Sequence, residues 1–554
     1  NFNTSSKSYK LNKLHYYPQV KNHPTFFVNS VVNPKKPRQI LLTNSLSMHI
    51  YTFTCLLKYS SFYLSYKMRN FSFFVLLITT ITCIVLPHFH GGLTMATGTK
   101  DGSERWGYVQ VRPGAHMFWW YYKSPYRVHD PKKPWPIVLW LQGGPGSSGI
   151  GIGNFGEVGP LDRNLKPRNS TWLKKADLLF VDNPVGTGYS FVEDKELLVK
   201  NDEEAAKDLT TLLIKLFNRN KSLQRKPLYI VAESYGGKYA VTLGLSALEA
   251  IKAGKLKLKL GGIALGNSWM SPVDFVESWA PLLKDFSRID NSGLKTSKRL
   301  VEDIKKQIAN GQMKEATKTW GELELVIMNS SNHVDFYNIM RDDGSPPMSM
   351  TTNELSRKTM VNSYSRNLDS LRVLPGLVED LKPLMNGVVK KKLKIPKDVN
   401  WAEQGDVVFE YFSGDFMTPR IKEVDKLLNA GVQVTIYNGQ LDLICSTKGA
   451  EAWVEKLKWK GLKTFLEMDR TPAFCGDDKE TKAFRKSYKN FHFYWILKAG
   501  TGGSTMYITG HGGQHNSVAS LRIRKRRKQI TIRFNKREDV KSNKSRSVFS
   551  FENC

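Results

Sequence analysis

The chain has 554 residues, room for one large domain or a few ordinary ones, with 41% hydrophobic and 24% charged residues. That balance excludes a collagen-like, a wholly disordered or a polytopic membrane protein. The formal net charge of +32 is not a property of the body: nine Lys/Arg and no Asp/Glu lie in 1–67 and twelve against three in 501–554, so the two flanks carry +18 and residues 68–500 only +14.

Residues 1–67 show no sustained period of 3.6 or 2. The expectation is that they are a disordered, non-coding leader and that Met68 starts the protein. Met68-Arg69-Asn70, the uncharged run of 16 residues at 71–86 and the small residues after it follow the pattern of a secretory signal over 68–95. The run is shorter than the about 20 residues a membrane span needs, so no stable membrane anchor is expected. The route implied is the secretory pathway, ending in a secreted or vacuolar/lysosomal protein. It permits a bridge between Cys445 and Cys475, the two cysteines of the body. It also makes Asn169, Asn220 and Asn329, each in an N-x-S/T triplet, candidate glycosylation sites.

From about residue 104 short apolar runs alternate with helical patterns, the mark of an α/β sheet. Strands are expected at 136–141, 178–181, 228–232, 261–266, 432–437 and 491–497. Fully apolar runs of this kind suit strands covered on both faces, as in a parallel sheet. A helix is expected over 203–217, with Ala206, Leu209, Leu213 and Leu216 toward one face. Residues 270–420 turn mostly helical and richly charged, so this block reads as a cap inserted into the sheet domain. The expected divisions are 96–269 and 421–500 for the two parts of the core, with the cap between them.

Three segments carry chemistry. Glu233-Ser234-Tyr235-Gly236-Gly237 follows a buried strand and opens a helix, the setting of a nucleophile elbow. Gln142-Gly143-Gly144-Pro145-Gly146 follows another strand. Such a glycine run serves ordinary turns, or it aims backbone N–H groups at a ligand. In the hydrolase reading Gly144 and Tyr235 N–H are the two oxyanion donors. Asp442, just past the strand at 432–437, stands where an orienting carboxylate follows the nucleophile in chain order; alone it would be an ordinary turn or capping residue.

Together these segments resemble the serine carboxypeptidase family, with Trp140 to Gly146, Glu157-Val-Gly-Pro160, Val181 to Ser190, Glu233 to Tyr239 and Tyr437 to Asp442 carrying the likeness in order over roughly 104–500. Gln142 and the Asn438 to Asp442 segment resemble the branch of retinoid-inducible serine carboxypeptidase and its plant carboxypeptidase-like relatives. The resemblance implies an α/β-hydrolase fold whose helical cap lies between nucleophile and catalytic Asp. It implies a hydrolase that releases single C-terminal residues from peptides at acidic pH. No cofactor is expected, no metal because the sequence holds no Cys-x₂-Cys pair, and no nucleic-acid partner because the basic charge lies in the flanks of a chain with a secretory signal. Ser234 would attack the last peptide carbonyl. Gln142, the Gly143 N–H and Glu233 would hold the substrate's terminal carboxylate, with Glu157 paired to Glu233. Without the resemblance Glu157 reads as a solvated loop acid.

One position departs from the pattern. The family places its catalytic His after a late strand; here Lys498-Ala499-Gly500 match and Thr501 stands where that His is expected. His492 lies inside the apolar run and reads as a strand residue. His511 and His515 are weak substitutes in a Gly-rich stretch of the basic tail 501–554, which is expected to be aberrant and disordered. Their four-residue spacing makes a metal site only on a helix. The run Arg522 to Lys528 could bind an anionic partner, but a secretory signal argues against nuclear work. Losing the base of a triad costs about 10⁶ in kcat, so the chain as written is expected to be nearly inactive. Two alternatives share the scaffold: an acyltransferase that passes the Ser234 acyl group to an alcohol, and a non-catalytic binder of peptide C-termini.

Overall fold

The computed structural model describes residues 97–130, 132–342, 377–402, 405–474 and 480–502. The expected leader and signal at 1–95, Cys475, His511, His515 and the basic run at 522–528 lie outside the described residues. The strands are β1 (Thr97–Gly98), β2 (Glu104–Arg112), β3 (Ala115–Tyr122), β4 (Ile137–Leu141), β5 (Asp177–Val181), β6 (Phe191–Val192), β7 (Pro227–Glu233), β8 (Lys259–Gly266), β9 (Val434–Gly439), β10 (Thr471–Ala473), β11 (Ala483–Tyr488) and β12 (Phe491–Ile496). They form one sheet in the order β1-β2-β3-β5-β4-β7-β8-β9-β12-β11-β10, with β6 pairing β3. The six strands β5, β4, β7, β8, β9 and β12 are mutually parallel. Antiparallel strands flank them on both sides.

The parallel centre is the set of six apolar runs. Its strands bury both faces, and alternate residues part to opposite sides. Ile137, Leu139 and Leu141 of β4, with Leu228, Ile230 and Ala232 of β7, join one apolar cluster. Val138, Trp140, Tyr229 and Val231 join the cluster on the other face. Helices cover the first face: α1 (Asp202–Phe217) and α2 (Gly236–Lys252). Asn201 caps α1, its side chain accepting from Glu204 N, and Asp202, Glu203 and Glu204 place negative charge at the positive end of the helix. Leu209, Leu212 and Leu213 are fully buried there; truncating one to alanine typically costs about 2–5 kcal/mol.

Between β8 and β9 run α3 (Pro272–Asp285), α4 (Asn291–Ala309), α5 (Met313–Ser331), α6 (Leu377–Leu384), α7 (Gly405–Phe412) and α8 (Ile421–Asn429). This is the helical insertion between Ser234 and Asp442, and the fold is that of an α/β hydrolase. Among the described residues the insertion shares the core of the sheet: Trp279, Ile304 and Trp320 belong to the same apolar cluster as Leu139 and Ile263. Among the described residues no helix is long and apolar enough to cross a membrane.

Candidate active site

The sheet's topology gathers the singled-out residues at the carboxyl ends of neighbouring strands, where open α/β sheets bind ligands. β7 ends at Glu233 and α2 begins at Gly236, leaving Ser234 and Tyr235 as the turn. Ser234 has φ +57°, left-handed backbone that costs a non-glycine residue about 1–3 kcal/mol. The turn is held from three sides: Ser234 N donates to Gly266 O at 3.1 Å, and Ser234 O accepts from Gly237 N at 3.1 Å and Trp269 N at 3.0 Å.

The glycine loop after β4 runs directly against this turn. A Cβ on Gly143 would lie 2.8 Å from Ser234 Cβ, closer than real side chains allow, and a tight 3.0 Å from Tyr235 N. Gly144 has φ +108°, a conformation L side chains rarely adopt. Neither the Gly144 nor the Tyr235 N–H is donated to a protein acceptor among the described residues. Tyr235 N also lies at the N-terminus of α2, where the helix dipole adds positive potential.

Beside the elbow sits an acid pair. Glu157 lies in a wide helical turn at Gly149–Val158 and is buried, so the solvated reading of this residue alone is wrong. Gln142 Nε2 donates to Glu157 Oε1 at 3.2 Å, and Trp140 Nε1 donates to Gln142 Oε1 at 2.7 Å. Glu157 Oε2 has no hydrogen-bond partner among the described residues. Burial, and then the negative charge of the fully buried Glu233, hold the Glu157 carboxyl well above the usual range; the Gln142 amide and Arg168 oppose this.

Asp442 follows β9 and is fully buried. Its Oδ1 accepts from Cys445 N at 3.0 Å. Its Oδ2 accepts from the Asn267 amide and from Thr501 Oγ1, the latter at 2.7 Å. Burial pushes its pKa up to about 7, against the lowering effect of these three donors. Thr501 is itself buried and donates its backbone N–H to Tyr337 O at 3.0 Å. Asn267 was no sequence candidate. It leaves β8, the strand between β7 and β9, with φ +39°, and its N–H donates to Tyr437 O at 3.0 Å.

The other candidates lie elsewhere. His492 sits on β12 opposite Thr435, with Nε2 3.0 Å from Gln433 Oε1; burial pulls its pKa down to about 4. Cys445 is buried and forms no disulfide among the described residues. Asn169 and Asn329 are exposed. Asn220 is half-buried and caps a short helical turn, its Oδ1 accepting from Ser222 N at 3.1 Å.

A family model described as serine carboxypeptidase matches residues 95–502. The chain is 62% identical over 408 residues to serine carboxypeptidase-like 51 of Arabidopsis thaliana, covering 72% of this chain and 88% of that protein. It is 45% identical over 421 residues to human retinoid-inducible serine carboxypeptidase, covering 75% of this chain and 91% of that protein. Among solved structures it resembles a prohormone-processing carboxypeptidase from Saccharomyces cerevisiae, with a TM-score of 0.61 at 21% identity over 73% of this chain and 88% of that one. At that identity the likeness speaks to the fold alone.

Proposed function

The chain belongs to the serine carboxypeptidase family, and from that premise we propose that its site is built to release single C-terminal residues from peptides through an acyl-enzyme on Ser234. In this reading Ser234 Oγ attacks the last peptide carbonyl. The Gly144 and Tyr235 N–H groups receive the developing oxyanion, a contact worth about 10²–10³ in rate per donor. Gln142, the Gly143 N–H, Glu233 and Glu157 receive the substrate's terminal carboxylate. A third carboxylate beside Glu157 and Glu233 is tolerated only where the pair keeps a proton, which makes the site one for acidic pH. The observation that carries the exopeptidase reading is this buried acid pair, bonded through Gln142 to the loop that packs on the elbow.

A second reading applies to the chain as it stands, and the Thr501–Asp442 hydrogen bond favours it. Threonine cannot take up the Ser234 proton, so the chain binds peptide C-termini and turns them over slowly. The expected setting is the secretory pathway, with Asn169, Asn220 and Asn329 as glycosylation sites.

The test measures binding and turnover together. Peptides with a free and an amidated C-terminus are titrated into the chain at acidic pH, and amino-acid release is followed in parallel. Binding that requires the free carboxylate, with turnover near background, supports both readings. Fast release overturns the second. Equal binding of both peptides overturns the first.

A further inference from the structure

Behind the elbow lies a group of buried charges that the proposed chemistry does not use. Tyr235 is buried, and its phenol donates to Asp202 Oδ1 at 3.0 Å. Its ring stacks on Phe416 with centroids 5.7 Å apart, and Lys238 Nζ stands 4.5 Å from its centroid. Asp202 Oδ2 accepts from Arg420 Nε at 2.9 Å, and Arg420 Nη2 reaches both oxygens of Asp415 at 3.0 Å. Arg420 Nη1 also bonds Glu203. Asp202 N donates to Asp415 Oδ2 at 3.2 Å, and Lys238 Nζ donates to the carbonyls of Asp415 at 2.7 Å and Phe416 at 3.3 Å.

Three chain segments meet in this group: the first turn of α1, the first turn of α2, and residues 415–420 between α7 and α8. Asp202, Lys238, Asp415 and Arg420 are all buried. Taking such charges out of water is costly, and packed apolar side chains of the same shape hold a fold equally well or better. Stability alone is therefore a poor reason for the cluster. What it does fix is the side chain of Tyr235, whose backbone N lies beside Gly143. The Ser234–Tyr235 peptide is pinned on its carbonyl side by Gly237 N and Trp269 N. The phenol bond to Asp202 holds the next residue from the opposite side. Between the two anchors lies the Ser234–Tyr235 peptide, directly after the left-handed backbone of Ser234, which would relax if either let go.

We propose that Asp202 and Arg420 are positioning residues for the oxyanion site, fixing the direction of the Tyr235 N–H through the Tyr235 phenol. The inference rests on reading that N–H as an oxyanion donor.

A peptidyl boronic acid separates the two. Its boron accepts the Ser234 Oγ electron pair, the hydroxyl proton leaves to water, and one boron hydroxyl enters the space between the two N–H groups. A peptide with a free C-terminus needs no such contact. In the full-length chain, Tyr235→Phe removes one oxygen and leaves the ring in place, while Asp202→Asn and Arg420→Met loosen the cluster. Each is expected to weaken boronate binding about tenfold or more, with peptide affinity held within about twofold. A merely structural role lowers both affinities together or neither, and either outcome overturns the inference. Tyr235→Phe carries the test if the charge variants fail to fold. A wild-type chain that binds the peptide but not the boronate overturns the oxyanion reading and the inference with it. One that binds neither overturns the proposed function.

Discussion

Thr501 Oγ1 donates to Asp442 Oδ2 at 2.7 Å, on the oxygen that also takes the Asn267 amide. A general base in a serine triad donates one ring N–H to the orienting carboxylate while its other nitrogen faces the nucleophile. The threonine hydroxyl makes the first of these contacts and has no second nitrogen to offer. Asp442 is buried and satisfied, and on the proposed reading an imidazole in place of the Thr501 side chain would link it to Ser234.

Thr501→His is therefore expected to be a gain of function. The loss of a triad base costs about 10⁶ in kcat, so even imperfect restoration raises turnover by at least about 10². Release of the C-terminal residue from a blocked dipeptide, with Ser234→Ala in the same background as the control, checks it. No increase in a variant that still binds the peptide would show that position 501 is not the site of the missing base.

The acid pair gives a pH prediction. The Glu157 carboxyl sits above its usual range because of burial and then Glu233, so the pair holds a proton in acid and loses it as pH rises. Affinity for a peptide carboxylate should fall with rising pH, by up to about tenfold per pH unit for a one-proton linkage. In Glu157→Gln only one carboxyl remains, and its neighbour is neutral. The variant should bind more tightly than wild type near neutral pH and show a flatter profile. Calorimetric titrations from about pH 5 to 8 read both slopes; parallel slopes would assign the proton elsewhere.

The parts of this site differ in how well the sequence displays them, for physical reasons. The six central strands are legible because a strand covered on both faces must be apolar throughout. β11 is not: it buries only Ala483 and carries Arg485 and Lys486 on a flank of the sheet. β2 buries only Trp106, Val109 and Val111, and the aromatic run of β3 does not end in the glycine or acid signals that mark the other strands. Asn267 looks like any residue after a strand; its place on Asp442 follows from β8 lying between β7 and β9, a fact of topology. The bond between Asp202 and Arg420 joins residues 218 positions apart, and nothing local announces it. Ser234, Gly144, Glu157 and Thr501 are legible because each sits in a segment whose order along the chain carries the resemblance.

Asp442 also links stability to pH. Its pKa is raised from 3.8 to about 7 in the folded chain, so between about pH 4 and 7 the folded state holds more protons than the unfolded one. Its contribution is then most favourable in acid and declines as pH rises through that window, by at most about 4 kcal/mol. Asp442→Asn removes the titration. The variant pays a fixed cost, because one buried donor now faces the Cys445 N–H. The expected result is that variant and wild type differ by an amount that shifts toward the variant as pH rises. Denaturant midpoints at several pH values measure it, and a constant difference would contradict the assignment.

The loop that carries Gly144 offers a contrast between two adjacent serines. Ser148 Oγ donates to Asp182 Oδ1 at 2.6 Å and accepts from Gly151 N at 2.8 Å and Trp401 Nε1 at 2.9 Å, all buried. Asp182 keeps Ile150 N and Tyr189 N as donors, yet burial already pushes its pKa up to about 7. Ser148→Ala leaves two donors and part of a carboxylate without partners, each group costing about 1–3 kcal/mol, with some relief from relaxation. The expected loss is about 2–4 kcal/mol, read as a lower denaturant midpoint at unchanged m. Ser147 Oγ is buried and has no hydrogen-bond partner among the described residues. Ser147→Ala deletes that unpaired group and should be neutral or slightly stabilising. Because both side chains are small and one residue apart, local packing alone predicts similar effects for the two. A difference of the expected size and sign isolates the hydrogen bonds that tie the glycine loop to β5.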